Sequence, residues 1–290
     1  MNVAVLGAGP RGRVLTRRCV RAGHAVRLYD ENANAVMDSV DAVAQAVDDG
    51  TVTDSVDGTT GLQSAMDGAD VVLDATDGET AARRELLADV ETMVADDTLV
   101  ATGDTTVSVT AVAAGLRAPN RAVGLHFPDP DAGDVVEVVL ADQTTATTRD
   151  RATAFVRGLD GVPVVVRDSP GFAAARYELA SIREAVQMVE DGVATVPDVD
   201  RAATRTGDGR GPLARADAMG LDAVLDGLTD LTERLGARFE PPSLLRDAVA
   251  AGRLGQSTGE GFYVWTNGEP TRPGELNPTI DARADGVDER

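Results

Sequence analysis

The chain of 290 residues contains 34 Asp and 14 Glu but 27 Arg and no Lys, which leaves a net charge of −21. This balance argues against binding to nucleic acid or to an anionic membrane surface, and no apolar run reaches the roughly 18 residues of a membrane span. A strand pattern begins at Asn2, so no signal peptide is expected, and the single cysteine, Cys19, excludes an intrachain disulfide. The composition predicts a cytoplasmic protein.

The acidic excess is rich in Asp and free of Lys, and in this it resembles the proteins of salt-accumulating halophilic archaea. At molar salt the Debye length falls to about 3 Å, so repulsion between surface carboxylates is screened. We therefore expect a protein from a salt-rich cytoplasm. It should be more stable in molar KCl than in dilute buffer.

The first half of the chain alternates between strand and helix patterns. Apolar runs predict strands at residues 2–6, 25–29, 71–73, 98–101, 122–124, 135–139 and 162–166. Helical patterns follow the first strand to about residue 21 and cover residues 79–94, and residues 34–68 suggest a helix or two and a short strand. This alternation predicts an α/β Rossmann-type domain over residues 1–168, with a mostly parallel sheet covered on both faces.

The pattern changes at Ser169-Pro170-Gly171. A helical pattern runs from Phe172 to about Gly192, and helical segments continue to about residue 251 without a convincing strand. These segments predict an all-α domain over residues 169–266. The chain after Trp265 is polar and contains three prolines, so residues 267–290 are predicted to form a loosely ordered tail.

A glycine-rich turn follows the first predicted strand. Gly7, Gly9 and Gly12 form a GxGxxG pattern that opens a helix, 18 residues before Asp30 at the end of the next strand. In this context Gly7 permits the tight turn, Gly9 lets the backbone approach a pyrophosphate, and Gly12 lets the helix pack closely. Asp30 would bind the adenine ribose and repel a 2′-phosphate, which favours NAD over NADP. The nearby Arg27 moderates that preference.

The two histidines of the chain differ in context. His126 lies in the proline-bounded segment 124–130 at a predicted strand end, and Glu137 lies on the next strand. Such a pair suits a general base oriented by a carboxylate, although a histidine in this kind of turn can also be purely structural. His24 precedes the second strand and is predicted to be structural. No metal site is predicted.

The motifs together resemble those of L-3-hydroxyacyl-CoA dehydrogenases over nearly all of residues 1–265. That family's Gly-His-Phe-Phe-Asn-Pro and Leu-Val-Glu-Val segments are approximated by residues 124–130 and 135–138, and its Ser-Pro-Gly-Phe segment stands at residues 169–172. Its Gly-Pro-Leu, Asp and Gly-Leu-Asp stretch corresponds to residues 211–213, Asp217 and residues 220–222. Its Leu-Gly-x-Lys-Thr-Gly-x-Gly-Phe-Tyr ending corresponds to residues 254–263.

The resemblance implies the NAD-dependent, reversible oxidation of an L-3-hydroxyacyl-CoA to the 3-ketoacyl-CoA by a homodimer. His126 would take the proton of the substrate's 3-hydroxyl, and Glu137 would orient the imidazole and stabilise the imidazolium. Thr105 stands where the family has a serine, and its hydroxyl would bind the substrate oxygen. The helical domain would form the dimer interface.

Several positions depart from the family pattern. The glutamate and lysine that contact the nicotinamide ribose in the family fall on Gly78 and Arg83, and Glu79 is a candidate replacement for the missing carboxylate. The active-site asparagine falls on Ala175, and the asparagine of the family's Asn-Thr-Ser-Ser segment falls on Gly103. One placed amide donor contributes on the order of 10²–10³ in rate, so these losses bear on activity.

Two alternatives therefore stay open beside the leading interpretation. A dehydrogenase of a free 3-hydroxy acid is one, because CoA carries several phosphate charges and the chain offers only arginines, among them Arg83, Arg205, Arg210 and Arg253. A cofactor-binding paralogue with little turnover is the other, because the two lost asparagines remove polar groups. All three readings involve a small-molecule ligand.

Overall fold

The computed structural model describes residues 1–47, 55–128, 133–204 and 210–278. The chain divides into two compact units, unit 1 (Met1–Ala174) and unit 2 (Ala175–Arg290). The sequence placed this division after residue 168. In the structure the Ser169-Pro170-Gly171 segment belongs to unit 1 and does not open the helical unit.

Unit 1 alternates strands and helices, as its sequence predicts. In chain order its elements are β1 (Asn2–Leu6), α1 (Pro10–Arg21), β2 (Ala25–Tyr29), α2 (Ala33–Ala46), β3 (Val56–Thr59), α3 (Leu62–Met66), β4 (Val71–Asp74), α4 (Thr80–Glu91), β5 (Leu99–Thr102), α5 (Val109–Ala113), β6 (Ala122–His126), β7 (Val135–Leu140), α6 (Ala146–Gly158) and β8 (Val162–Arg167). The seven strands predicted from apolar runs are all present. The polar stretch 34–68, of which residues 48–54 lie outside the described residues, contributes α2, β3 and α3.

The eight strands form one sheet in the order β3-β2-β1-β4-β5-β6-β7-β8. Every neighbouring pair is parallel except β6 and β7, which are antiparallel. The carboxyl ends of β1, β2, β4, β5 and β6 therefore meet at one edge, and the strand order reverses between β1 and β4. In open α/β sheets this reversal point is where ligands bind. The prediction of a mostly parallel Rossmann-type sheet is confirmed.

The central strands β1, β4 and β5 are buried on both faces, which explains why they are apolar without alternation. The edge strand β8 differs, since Val162, Val164 and Val165 are 49%, 40% and 47% exposed. In β1, Val3 and Val5 belong to one core cluster, whereas Ala4 and Leu6 belong to the other. Successive side chains of a strand point to opposite faces. A strand with helices on both sides must therefore be apolar at every position.

Unit 2 is mainly helical. Its elements are α7 (Ala174–Glu190), which begins at the last residue of unit 1, α8 (Val196–Thr204), α9 (Pro212–Met219), α10 (Leu221–Leu235), α11 (Ser243–Ala250), β9 (Tyr263–Thr266) and β10 (Glu269–Pro273). The inward faces of the helices form a single core around Ile182, Leu213 and Leu228. The helical prediction is confirmed, but the loosely ordered tail is wrong for β10, which pairs antiparallel with β9. Residues 279–290 lie outside the described residues.

Two classes of feature are not found in the described parts of the chain. No helix there is both long and apolar enough to cross a bilayer. No three His, Cys, Asp or Glu side chains there converge into a group that could hold a metal ion.

Candidate active site

The glycine-rich turn joins β1 to α1 and has the backbone geometry that its sequence predicts. Gly7 has φ of +97°, a conformation that favours glycine. A Cβ on Gly12 would lie 1.8 Å from the carbonyl oxygen of Gly7, so only glycine lets the helix pack this closely. A Cβ on Gly9 would meet nothing within 4 Å, and no side chain caps α1. The first-turn amides of α1 are therefore available to an anion.

Asp30 ends β2 beside this turn. Its Oδ2 accepts a hydrogen bond of 2.8 Å from the backbone N–H of Ala8. Arg27, which the sequence suggested would moderate the preference for NAD, donates from Nη1 to the carbonyl oxygens of Ser64 at 3.0 Å and Asp67 at 2.7 Å. The guanidinium of Arg27 is thus held by backbone carbonyls, while the carboxylate of Asp30 lies against the glycine turn.

His126 and Glu137 meet because β6 and β7 are antiparallel and pair these two residues directly. Nδ1 of His126 lies 2.8 Å from Oε2 of Glu137, and the two side chains are 16% and 2% exposed. The other carboxylate oxygen, Oε1, accepts 2.9 Å hydrogen bonds from the amides of Ala173 and Ala174. An ionised carboxylate only accepts, so Nδ1 carries the proton and Nε2 is the nitrogen left for other chemistry.

The electrostatics of the pair favour an ionised Glu137. Burial by itself raises the pKa of this carboxyl group, but the hydrogen bonds from His126 and from the amides of Ala174 and Ala173 outweigh burial and hold the pKa below its ordinary value. The edge of Phe172 also packs on the imidazole, with ring centroids 5.7 Å apart. The arrangement fixes the ring and places a negative charge behind it.

A cavity of about 310 Å³ opens beside His126. Its lining includes Arg11 from the first turn of α1, Asp104 and Thr105 after β5, and His126 and Phe127 at the end of β6. The structure thus brings the predicted base and the predicted hydroxyl, His126 and Thr105, to one cavity next to the glycine turn. Residues 129–132, which include part of the histidine motif, lie outside the described residues.

Arg83 was predicted to contact the cofactor, but it is 1% exposed and lies beneath the cavity. It forms ion pairs with Asp74 at 2.8 Å and with Asp104 at 2.7 Å. All five of its N–H donors are used, by Asp74, Asp104, Thr102 and the carbonyl oxygens of Thr76 and Gly78. In this geometry Arg83 has no donor left for a cofactor or for CoA, and it supports Asp104 instead.

Glu79 and the two glycines that replace family side chains lie elsewhere or are constrained. Glu79 is exposed at the start of α4 and lines a different depression, shared with Thr106, rather than the His126 cavity. Gly78 has φ of +145°, and a Cβ on Gly103 would lie 2.1 Å from the carbonyl oxygen of Leu125. The backbone therefore constrains both positions: Gly78 has a φ that favours glycine, and a side chain at Gly103 would collide with the carbonyl oxygen of Leu125.

The other arginines considered for CoA are engaged in unit 2 or are not described. Arg210 stacks over Trp265, with its guanidinium carbon 5.2 Å from the ring centroid, and donates to the carbonyl oxygen of Gly268 at 3.1 Å. Arg253 forms an ion pair with Glu275. Arg205 lies outside the described residues. Within the described residues Arg210 and Arg253 are each bound through Nη2, whereas Arg83 uses all five of its donors.

His24 and Cys19 are structural. His24 stacks on Phe155 with ring centroids 5.8 Å apart. Cys19 is fully buried, and burial raises the pKa of its thiol to about 12, so it is not a nucleophile. Of the two histidines, His126 is therefore the one whose carboxylate partner and adjacent cavity suit acid–base chemistry.

Three charged residues of the cavity were not identified from the sequence, Arg11, Asp74 and Asp104. Arg11 lies inside the GxGxxG pattern, where attention goes to the glycines. Asp104 is adjacent to Thr105, the residue that the family resemblance indicated in that segment. The available signal was their charge, since an arginine in the first turn of a helix runs against the helix dipole.

Two sequence families match consecutive parts of the chain. Residues 2–169 match the family described as 3-hydroxyacyl-CoA dehydrogenase, NAD binding domain. Residues 171–265 match the family described as 3-hydroxyacyl-CoA dehydrogenase, C-terminal domain. The glycine turn and the His126–Glu137 pair fall in the first match, and Asp217 falls in the second.

Individual relatives align with nearly the whole chain. A probable 3-hydroxybutyryl-CoA dehydrogenase of Bacillus subtilis is 31% identical over 277 residues, covering 90% of this chain and 96% of that protein. The 5-formyl-3-hydroxy-2-methylpyridine 4-carboxylate 5-dehydrogenase of Mesorhizobium japonicum is 29% identical over 289 residues, covering 91% of each. The crystal structure of (S)-3-hydroxybutyryl-CoA dehydrogenase from Ralstonia eutropha has a TM-score of 0.84 at 28% identity, covering 92% of this chain and 99% of that one.

Proposed function

Because the chain belongs to the 3-hydroxyacyl-CoA dehydrogenase family and is an NAD-dependent oxidoreductase of that type, we propose that it oxidises an L-3-hydroxyacyl-CoA reversibly to the 3-ketoacyl-CoA. The observation that carries the proposal is the His126–Glu137 pair, 2.8 Å apart at the wall of a cavity that also contains Thr105 and the first turn of α1. A base, a hydroxyl and a dinucleotide turn are what this oxidation requires.

The residues at the carboxyl edge of the sheet fit NAD. Gly9 leaves open space at the N-terminus of α1, where a pyrophosphate can approach the amides, and Asp30 lies beside the same turn for the adenine ribose. When bound, NAD supplies the acceptor for the hydride that leaves the substrate carbon. The carboxylate of Asp30 opposes a 2′-phosphate, which favours NAD over NADP.

His126 is the proposed general base. Its Nε2 takes the proton of the 3-hydroxyl during oxidation and returns it during reduction. Glu137 holds Nδ1–H and so fixes both the ring and the tautomer, and its negative charge stabilises the imidazolium that forms. Thr105, on the same cavity, would donate its hydroxyl to the substrate oxygen.

The experiment is an assay of NADH oxidation with acetoacetyl-CoA in molar KCl, comparing the native chain with His126→Gln. Removal of a general base should lower kcat by roughly 10²–10⁴-fold. His24→Gln is the matched control, because it removes the other histidine, and it should retain activity. Thermal melting of both variants checks that each folds.

Assays in both directions, with NAD and free 3-hydroxy acids as well as with NADH and acetoacetyl-CoA, separate the alternatives. Turnover of free 3-hydroxy acids but not of acyl-CoA would replace the proposed substrate. This alternative is favoured by the full engagement of Arg83 within the chain and by the likeness to a dehydrogenase of a pyridine carboxylate. NAD binding without turnover of either substrate class would instead indicate an impaired paralogue. Native levels of activity in His126→Gln would contradict the assigned base.

We also propose that the protein is a cytoplasmic homodimer that works at high salt. The family resemblance supports the dimer. The acidic, lysine-free composition supports the salt-rich cytoplasm. Sedimentation in molar KCl tests the first, and unfolding in low and molar KCl tests the second.

A further inference from the structure

Arg11 occupies an electrostatically unusual position. Five of the 27 arginines of the chain lie in α1, which contains no acidic residue, and Arg11 lies in its first turn, two residues after the N-cap Gly9. The N-terminus of a helix carries partial positive charge, so a cation there is unfavourable unless an anion is near. The position therefore favours an anionic partner close to the guanidinium.

One such partner is in the chain. Nη1 of Arg11 donates to Oδ2 of Asp104 at 3.2 Å. The same oxygen accepts from Arg83 at 2.7 Å, and Arg83 in turn binds Asp74 at 2.8 Å. Negative and positive side chains thus alternate in the series Asp74, Arg83, Asp104 and Arg11. This series of ion pairs connects the side chain of Arg11 to the carboxyl ends of β4 and β5.

Asp104 is held in its charged form. Burial raises the pKa of this carboxyl group, but hydrogen bonds from the backbone and side chain of Thr106 and the charges of Arg11 and Arg83 outweigh burial and lower the pKa below its ordinary value. Asp104 therefore remains an anion at neutral pH and can orient Arg11 whether or not a ligand is present.

Arg11 retains donors for a ligand. Its side chain is 40% exposed, and in the described part of the chain the bond to Asp104 is its single hydrogen bond. Arg83, by contrast, uses all five donors. Arg11 also lines the cavity that contains His126 and Thr105 and begins at the open N-terminus of α1. Arg11 thus lines the same cavity as the first turn of α1 and the proposed base.

We propose that Arg11 binds the pyrophosphate of NAD through its free donors, and that Asp104 is the positioning residue that orients it. The pyrophosphate of NAD is anionic, and in a chain with 21 net negative charges and no lysine, arginine is the cationic side chain that can meet it. A guanidinium already held in place offers charge-assisted hydrogen bonds with little ordering cost. The proposal rests on NAD as the cofactor and is independent of which substrate the enzyme oxidises.

Calorimetric titration with NAD and with ADP-ribose tests the contact without turnover. Arg11→Met should weaken both ligands by about tenfold or more, since both contain the pyrophosphate and a hydrogen bond to a charged group is worth about 1.5–3 kcal/mol. Arg21→Met is the matched control. It removes the same charge from the other end of α1, where Nη2 of Arg21 binds the carbonyl oxygen of Ala46, and it should leave both affinities nearly unchanged.

Asp104→Asn tests the positioning role. It should weaken NAD less than Arg11→Met does, and the double variant should bind no more weakly than Arg11→Met alone, because the two side chains act as one unit. A purely structural Asp104 would instead give additive losses. Melting of the free variants checks that each is folded.

Two outcomes would overturn the proposal. Unchanged NAD affinity in Arg11→Met together with a raised substrate KM would mean that Arg11 binds the substrate. Loss of affinity for NAD but not for ADP-ribose would assign the contact to the nicotinamide end of the cofactor. Neither result depends on His126, so failure here is distinguishable from failure of the proposed reaction.

Discussion

Glu137 in unit 1 and Asp217 in unit 2 each accept hydrogen bonds from two backbone amides and one ring N–H. The pKa values of the two carboxyl groups nevertheless shift in opposite directions. Glu137 accepts two backbone amides, of Ala173 and Ala174, and the ring Nδ1–H of His126. Asp217 accepts two backbone amides, of Phe262 and Tyr263, and the ring N–H of Trp265, all between 2.8 and 2.9 Å. Each carboxylate therefore fixes a turn of backbone and one aromatic ring.

The difference lies in the ring and in the surrounding charge. Imidazole has a second nitrogen that remains for chemistry, whereas indole has a single N–H and is satisfied by its bond to Asp217. The pKa of Glu137 is lowered, whereas burial raises the pKa of Asp217, and the nearby negative charge of Asp200 adds to that rise. The same hydrogen-bond pattern thus builds a candidate catalytic pair in one unit and a structural clamp in the other.

The largest effect is expected from Asp217→Asn. Asparagine offers one acceptor oxygen and a competing NH₂ group to three donors, so the variant should lose about 3 kcal/mol or more of the free energy of unfolding. Urea denaturation followed by fluorescence measures this loss, and the single tryptophan, Trp265, reports directly on the clamp.

Asp226→Asn provides the control for this variant. Asp226 is exposed on α10 of the same unit, so the same chemical change there should alter the free energy of unfolding by about 0.5 kcal/mol or less. Equal losses in the two variants would contradict the structural role of Asp217.

A smaller effect is expected from Glu137→Gln, and it should fall on the reaction. The amide cannot stabilise the imidazolium or enforce the tautomer, so kcat should fall by about 10²-fold or more while NAD affinity is unchanged. Steady-state kinetics measures the loss in kcat, and calorimetric titration measures the affinity for NAD.

Glu85→Gln, at an exposed position of α4, is the matched control and should leave kcat unchanged. If Glu137→Gln lowered the free energy of unfolding but left kcat intact, the pair would be structural like the Asp217 clamp. The comparison between the two units would then fail.

The smallest effect is expected from Gly103→Asn, which restores an amide that the resemblance implies. Its Cβ would lie 2.1 Å from the carbonyl oxygen of Leu125, so the variant should lose about 1–3 kcal/mol of stability without gaining turnover. Ala175→Asn is the comparator, because a Cβ already stands there, and it should raise turnover if the missing amide limits the reaction. A stable, faster Gly103→Asn would show that the loss of the amide matters more than the backbone approach.

Much of the fold and part of the candidate site followed from local patterns. The central apolar strands followed from burial on both faces. The glycines at 7, 9 and 12 were identified because the tight turn, the approach of a pyrophosphate and the close packing of α1 each favour glycine. The pairing of β10 with β9 was missed, because Pro270 and Pro273 favour loop and the partner strand is short. The engagement of Arg83 was missed, because a buried arginine and an exposed one look alike in sequence.

The sequence by itself determined the class of the protein. Three local features were enough: a glycine turn between strand and helix with Asp30 after the next strand, an acidic composition without lysine, and a histidine followed by a glutamate on the next strand. These depend on neighbours along the chain, where periodicity and turn chemistry act. The tertiary structure alone decided which charges remain available to a ligand. Folding brings Asp104 and Thr102 to Arg83, so that with its nearer acceptors every donor of Arg83 is used, whereas Arg11 keeps donors. It also pairs Glu137 with a ring that has a second nitrogen and Asp217 with a ring that has none.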